Sequence, residues 1–584
     1  MSRSTIMQFG VIALCVVSSI SRCEGQTALA KPGDASMHLA LRDQPLVAFR
    51  AIVAAGSQFD PPGKEGLAAL TAALVSGGGT TELTYEQILE RLYPMAASFD
   101  STCLREFAVF EGVVHRDNAE AYRALVAEML ARPKFDPADF ERVKNELLDY
   151  LTKTLRGNDD EELGKAVLQL SIYGKDHPYG HVEQGTVRGL QSITIDDVRA
   201  FHARHYTANS IALGTAGESD THLEWLRTRL GGGLKVVDVA APALPEPNAP
   251  KGVQVIIIEK PADATAISIG FPIAITRRDA GFTPLYLANS DLGEHRTFNG
   301  KLMQKLRRDR GLNYGDYSYV EEFIQEGGSS LPIPNNARRQ QFFSIWVRPV
   351  PHDKAAFALR AALFVLQRLV REGIAEDDFE ATRDYLSNFS NLWQQTLDRQ
   401  LGAEMEAKLY GMPRTFAKTL QADLIESSKA EVDASVREHL RPSGVFVVIV
   451  TQDAPALKAL LESGKPTPIT YDTQGTPDAV LAEDKQIEQF PLEGLNIRIV
   501  PASQLFNTPG LPEPEPDPTH IASADAEYYT DSPAQMRPAD GTIANGTAVA
   551  VLKRAGSYAR VRFRPKPQAD PIEAWVSVDI LAPK

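Results

Sequence analysis

Cysteine is scarce in this chain. Its 584 residues hold three, Cys15, Cys23 and Cys103, and the first two sit close to the N-terminus. An intramolecular disulfide is therefore not expected, and a cysteine-rich zinc site is excluded. Positive charge is also short: 61 Lys and Arg against 75 Asp and Glu leave a net charge of −14. A phosphate backbone calls for a basic face, so nucleic acid is not an expected partner. The one long apolar run near the N-terminus, Ile6 to Ile20, is too short and wrongly flanked for a stable membrane span. No serine nucleophile elbow, phosphate-cradling glycine loop or dinucleotide fingerprint is present. Gly77-Gly78-Gly79 lacks a following Lys-Ser/Thr helix start, so it reads as a turn.

What is there is an ordinary globular composition, 43% hydrophobic and 23% charged, in a chain long enough for roughly three or four domains. The positive start Met1-Ser2-Arg3, the apolar run and the small polar residues after it read as a secretory signal over residues 1–30, cleaved between Ser21 and Ala30. Cys15 would leave with it. Cys23, after Ile20-Ser21-Arg22, loosely resembles a lipoprotein attachment site, with Arg22 a poor fit. The expectation is an exported, periplasmic protein, with Cys23 the position for an outer-membrane anchor.

Past the leader, the apolar pattern predicts strands over Met37–Ala54, a small-residue helix over Gly63–Leu74, a helix at Tyr85–Tyr93, two strands in Ser98–Val114 and a helix at Ala119–Ala131. Pro137 opens a long helix, and a strand at Ser210–Thr215 closes the unit. Arg229–Gly233 and the Pro/Ala-rich Ala240–Pro250 read as a linker, and the pattern then restarts. Ala-Asp-Phe-Glu-Arg-Val-Lys-Asn at 138–145 is echoed by Asp-Asp-Phe-Glu-Ala-Thr-Arg-Asp at 377–384, and the strand after His205-Tyr206 by Val445–Val450 after His439. Two similar α/β units are expected, over residues 37–235 and 253–470, joined by 236–252. Residues 471–524 read as a Pro-rich linker, most clearly at 511–518, and 525–584 as a small β-barrel of short strands. Tyr528-Tyr529, Gly-Thr-x-x-x-Gly-Thr at 541–547, Tyr-x-x-Val at 558–561 and Trp-Val-Ser at 575–577 resemble a bacterial SH3-like domain. Lys553, Arg554, Arg560, Arg562, Arg564 and Lys566 make it locally basic, either as a solvated rim or as a contact for an acidic partner or cell-wall polymer.

Function is most legible in Leu302–Tyr314, LMQKLRRDRGLNY. It reads as the end of an amphipathic helix with Leu302, Met303 and Leu306 on the apolar face, a break at Gly311, and a run at 312–314 that can enter a strand. Arg307 and Tyr314 can then converge: a fork of donors and a phenol on a rigid ring suit a peptide carbonyl or carboxylate.

The duplicated units, the leader and this Arg/Tyr stretch together resemble the insulinase/pitrilysin family of zinc metallopeptidases over about residues 38–470, and most of all its bacterial two-subunit members. The resemblance implies an α+β fold like that of the mitochondrial processing peptidase, each mixed sheet covered by helices. It also implies a helix carrying His-x-x-Glu-His in the first unit, two histidines for zinc and a glutamate for water, with a third ligand from a later helix. Here the corresponding stretch is EGLAALTAAL, 65–74, and the histidine positions fall on Ala69 and Ala73 and the glutamate on Ala72. Methyl groups neither bind zinc nor exchange protons. Glu146, the third-ligand candidate, stands alone. His177 and His181 lie in a Pro/Gly loop, and His202 and His205, near Asp196 and Asp197, lack a third ligand on their face; both pairs read as structural.

In such families the second unit contributes an Arg and a Tyr seven residues apart, and Arg307 and Tyr314 resemble them. An oxyanion donor of this sort supplies about 3 kcal/mol only beside a nucleophile. The resemblance thus implies a chain with no cofactor of its own that supplies Arg307 and Tyr314 to a zinc-bearing paralogue in a heterodimer acting on peptides. The alternatives are a non-enzymatic peptide- or wall-binding scaffold, or a structural subunit of a membrane assembly.

Overall fold

The computed structural model describes residues 29–295, 297, 299–323, 334–471, 475–513, 518–533, 537–565 and 571–584. The expected leader, with Cys15 and Cys23, falls almost wholly outside these, as does Lys566.

Strands β1 (Met37–Ala40), β2 (Leu46–Val53), β3 (Asp100–Cys103), β4 (Ala108–His115) and β5 (Ile211–Gly217) form the first sheet in the order β1-β5-β2-β4-β3. Six more, β6 (Gly252–Glu259), β7 (Thr265–Ile273), β8 (Asp316–Tyr319), β9 (Gln341–Val350), β10 (Gly444–Thr451) and β11 (Asn496–Pro501), form the second, ordered β11-β6-β10-β7-β9-β8. Apart from β11 the two orders correspond strand for strand. In each the outermost shared pair is parallel, β1 with β5 and β6 with β10, and the remaining pairs are antiparallel. Duplication read from one echoed helix start is thus repeated in sheet topology.

One face of each sheet carries its own unit's helices; the other is closed by a helix from the opposite unit. Asp160–Tyr173 of the first unit lies on β7 and β10, and Leu397–Leu409 of the second lies on β2 and β5. The second contact is apolar, Leu401 and Met405 packing on Ala48, Ile52, Ala212 and Ala216. Its closeness depends on a missing side chain, because a Cβ at Gly214 would stand 2.2 Å from Met405 Sδ. Helix Asp160–Tyr173 carries Leu163-Gly164, and helix Leu397–Leu409 carries Leu401-Gly402, at matching places. Each glycine faces the opposite sheet, Gly164 toward Ser268 and Gly402 toward Arg50.

Buried ion pairs join the units as well. Arg338, 5% exposed, pairs with Glu183 of the first unit at 3.0 Å and Glu322 of the second at 2.9 Å, and Arg105 shares Glu183 at 2.8 Å. Charges removed from water in this way are tolerable only when each is paired and hydrogen-bonded, so the network favours one relative placement of the two units.

Three expectations need correction. Thr221–Gly231 is a helix, its apolar face of Leu223, Leu226 and Leu230 buried, so Arg229–Gly231 ends a helix rather than beginning a linker. The stretch expected to be wholly linker, 471–524, holds the helix Asp478–Ile487 and strand β11, which lies parallel to β6. Beyond β11, Leu505 and Phe506 enter the first unit's core, and Val187 N–H donates to Phe506 O at 2.8 Å. A six-residue strand gets its stability from the partner it pairs with, which a local pattern does not carry.

The third concerns the tail. Strands β12 (His520–Ala522), β15 (Ala548–Ala555), β16 (Tyr558–Phe563), β17 (Ile572–Ser577) and β18 (Leu581–Pro583) form an antiparallel sheet ordered β17-β16-β15-β12-β18. A separate ladder of β13 (Ala526–Tyr528) and β14 (Gly541–Ile543) pairs with it at the bridge Tyr529 to Trp575 and packs Tyr528 and Ile543 against its core. Among the described residues the sheet stays open, because closing a barrel takes a continuous ladder between its edge strands.

Candidate functional site

The helix that corresponds to the family's metal-binding helix is Leu67–Gly77. Asp60 holds its start, accepting from Gly66 N–H and Ala68 N–H at 2.7 Å each. Gly66 has φ +108°, a left-handed geometry that glycine adopts without strain. Ala69 and Ala72 are buried and Ala73 half-buried, while Ser76 Oγ meets Ser101 Oγ of β3 at 2.8 Å. Helix Pro137–Asp149 packs alongside: Asp139 accepts from Gly79 N–H at 3.0 Å and Arg142 donates to Gly77 O. Glu146 lies on this neighbouring helix, exposed and paired with Arg142 at 3.2 Å. The donors a zinc ion would need are not there: three methyl groups and one ion-paired carboxylate do not fit the metal. Among the described residues no cluster of three His, Cys, Asp or Glu suits one.

Both histidine pairs are held by their surroundings. His177 Nε2 meets Gln340 Oε1 at 2.9 Å and its Nδ1 accepts from Tyr179 N–H; His181 Nδ1 meets Val182 O at 2.8 Å. His202 Nε2 meets Leu130 O at 3.0 Å, and His205 stacks on Phe201. Burial pushes His181, His202 and His205 down to about 4, so their rings stay neutral at neutral pH.

The Arg/Tyr stretch is built as a wide helical turn, Met303–Arg308, with Leu302, Met303 and Leu306 buried as the apolar pattern indicates. Gly311, at φ +62°, ends it: its N–H donates to Arg307 O at 2.7 Å and Leu312 N–H donates to Leu306 O at 3.0 Å. Residues 312–314 do not form a strand, contrary to expectation. Asn313 turns the chain, accepting from Gly315 N–H at 3.1 Å and donating to Arg348 O at 2.9 Å, so β8 starts only at Asp316. Tyr314 therefore stands clear of the sheet, 71% exposed. The guanidinium of Arg307 lies 4.5 Å from its ring centre, within cation–π range. The sequence-predicted pair does meet.

Two further residues complete this corner. Arg348, on β9, places its guanidinium 5.8 Å from the Tyr314 ring and pairs with Glu161 of the first unit at 3.3 Å. Asp316 lies beneath, fully buried, accepting from Asn313 Nδ2 at 2.6 Å, and its other carboxylate oxygen is without a hydrogen-bond partner among the described residues. Burial pushes its carboxyl up to about 8, so at neutral pH it is largely protonated. Nothing local in the sequence ties 348 to 307; the signal is strand register, which pairs Asp316 with Val347. The corner can hold a carbonyl or carboxylate oxygen. Among the described residues it holds no nucleophile with an adjacent base.

A duplicated sheet-and-helix unit with a zinc helix reduced to methyl groups defines a catalytically incomplete relative of a metallopeptidase. Comparison agrees. Residues 40–166 match the model of the insulinase family, peptidase family M16, and residues 192–386 match the M16 inactive domain. The two matches cover more than half of the chain, and the chain belongs to this family. The non-peptidase homologue YmxG of Helicobacter pylori is 21% identical over 400 residues, 68% of this chain and 87% of that one. An uncharacterized zinc protease of Mycobacterium tuberculosis (strain H37Rv) is 23% identical over 323 residues, 54% of this chain and 68% of that one. In fold, the chain is similar to the crystal structure of an M16 inactive domain from Pseudomonas fluorescens, with TM-score 0.62, 23% identity and coverage of 71% of this chain and 94% of that one. A protease from Helicobacter pylori gives TM-score 0.61 at 13% identity, covering 71% and 96%.

Proposed function

We infer that this chain is the non-zinc half of an exported two-subunit peptidase. It supplies Arg307 and Tyr314 to the active chamber of a zinc-bearing paralogue, which provides the metal and the attacking water. The observation that carries this reading is the pairing of a stacked, accessible Arg307–Tyr314 corner with a metal helix that has lost every donor. In the assembled chamber the two side chains hold the peptide carbonyl as it becomes an oxyanion; removing one such donor costs about 10²–10³ in kcat. Mixing the purified chain with its zinc-bearing paralogue is expected to give peptide hydrolysis. Arg307→Ala should abolish it while the heterodimer still assembles by size-exclusion chromatography. Undiminished hydrolysis with that variant would overturn the reading.

A second reading, a peptide- or wall-binding scaffold, draws on the basic strands of the tail. Their charge is partly spent inside the domain, Arg560 and Arg562 facing Glu573 at 3.0 and 3.9 Å. Retention of the isolated chain on peptidoglycan, with no gain of hydrolysis from any paralogue, would favour it.

A further inference from the structure

Behind the Arg307–Tyr314 corner the second sheet carries a cluster of rings on the face that the first unit's helix covers. Tyr317 and Tyr319 come from β8, Trp346 from β9, and Phe323 and His295 from the loops beside them. The centres of Tyr317 and Trp346 are 5.7 Å apart, those of Tyr319 and Phe323 4.6 Å, and His295 lies 4.7 Å from Tyr317 and 4.6 Å from Phe323. The cluster already holds a cation. Lys165, from helix Asp160–Tyr173, sets its ammonium 3.3 Å from the centre of the Trp346 ring and 5.5 Å from that of Phe323. Several ring faces turned toward one ammonium make a cation site, because each ring presents the negative face of its quadrupole.

Carboxylates surround it. Glu162 bonds the Lys165 ammonium at 2.6 Å, and Glu161 lies on the same helix. Glu294 is buried next to His295, with one carboxylate oxygen that has no partner among the described residues. In the matching place in the first unit, under helix Leu397–Leu409, lie Arg50 and Glu111, ion-paired with each other, beside a cavity of about 230 Å³. The cage adjoins the Arg/Tyr pair. Met303 belongs to the cluster and accepts from Arg307 Nη1 at 3.9 Å, while the Arg348 guanidinium is 5.8 Å from the Trp346 ring as well as from Tyr314.

We propose that this aromatic cage is a binding site for a lysine or arginine side chain of the peptide held at Arg307 and Tyr314, and that Lys165 is its built-in occupant, displaced when that side chain enters. The proposal rests on the peptide reading above for its ligand. Displacement leaves Lys165 with a partner, since Glu162 sits on its own helix one turn away and can follow the ammonium out toward solvent.

The test empties the cage and refills it. In the full chain, Lys165→Ala removes the occupant, with circular dichroism to verify the fold. n-Butylammonium is expected to raise the melting temperature of this variant saturably and to leave the wild type unchanged, while isosteric n-butanol does neither. Adding Phe323→Leu should weaken the ammonium effect by roughly threefold. An extended alanine-rich peptide with a single lysine should bind Lys165→Ala about tenfold more tightly than wild type, and its norleucine counterpart should bind both alike. Equal effects of butanol and butylammonium, or none from either, would overturn the cage as a cation site. Saturable butylammonium binding with no peptide binding to any variant would leave the cation site standing and overturn its peptide ligand, while the Arg/Tyr reading is decided separately by hydrolysis with Arg307→Ala in the heterodimer.

Discussion

In the first unit, helix Leu67–Gly77 presents Ala69, Ala72 and Ala73 beside the edge strand β3, and the space under the exchanged helix stays open around Arg50 and Glu111. In the second, the turn before edge strand β8 presents Arg307 and Tyr314, and the corresponding space is filled by Trp346, Tyr317 and the Lys165 ammonium. Apart from β11, strand order is the same in both. The duplication has kept what closes the core, a Leu-Gly step on each exchanged helix and a five-strand order, and has let the outward chemistry diverge. One unit presents three methyl groups at its helix and the other a stacked arginine and tyrosine at its turn.

The comparison can be broken most severely at the network between the units. Arg338→Ala leaves Glu183 and Glu322 buried with one partner fewer, and should cost about 3–5 kcal/mol in urea unfolding. If instead the units come apart into two separate transitions, the network is what makes them cooperate. The matched leucines of the exchanged helices are a gentler probe. Leu163 and Leu401 are both fully buried, so Leu163→Ala and Leu401→Ala should each cost about 2–5 kcal/mol. Unequal losses would show that the two exchanges do not bear equal weight.

Asp316 sets a pH dependence in the second unit, as Asp60, also raised by burial to about 8, does in the first. The Asp316 carboxyl is raised by burial to about 8, far above its value of about 3.9 in an unfolded chain. The folded form keeps a proton that the unfolded form releases, so this contribution to stability is full below pH ~3.9 and is lost as pH rises toward 8. Asp316→Asn should flatten the fall in stability between pH 5 and pH 9, measured by denaturant midpoint; an unchanged slope would place the titration elsewhere. Tyr314→Ala should have the smallest effect on folding, within about 0.5 kcal/mol, because the ring is largely in water. Paired with the loss of hydrolysis expected for Arg307→Ala, that outcome would separate function from stability at the corner.

Legibility followed the range of each interaction. Leu302, Met303, Leu306 and Gly311 were readable because a helical turn and its glycine stop are local, and the helix closes as their pattern indicates. The three alanines were readable as the absence of donors, which needs no fold. Tyr314 was misassigned to a strand because Asn313 makes its bonds to Arg348 O and Asp316, and neither partner is evident until β8 and β9 are paired. β11 was hidden in a polar, Pro-rich stretch because its stability comes from β6, some 240 residues earlier.

What the amino-acid sequence by itself determined is the inventory: a duplicated pattern, methyl groups in place of metal ligands, and an arginine and a tyrosine set seven residues apart. Composition and spacing decide which chemistry a position can offer, since a side chain either carries a donor or does not. The tertiary structure alone decided which offers meet. Arg348 reaches Tyr314 through the register of β9 on β8, and Lys165 reaches Trp346 because a helix of one unit crosses onto the sheet of the other. Cation–π and ion-pair contacts act over a few ångströms, and only folding brings residues this far apart in the chain within that reach.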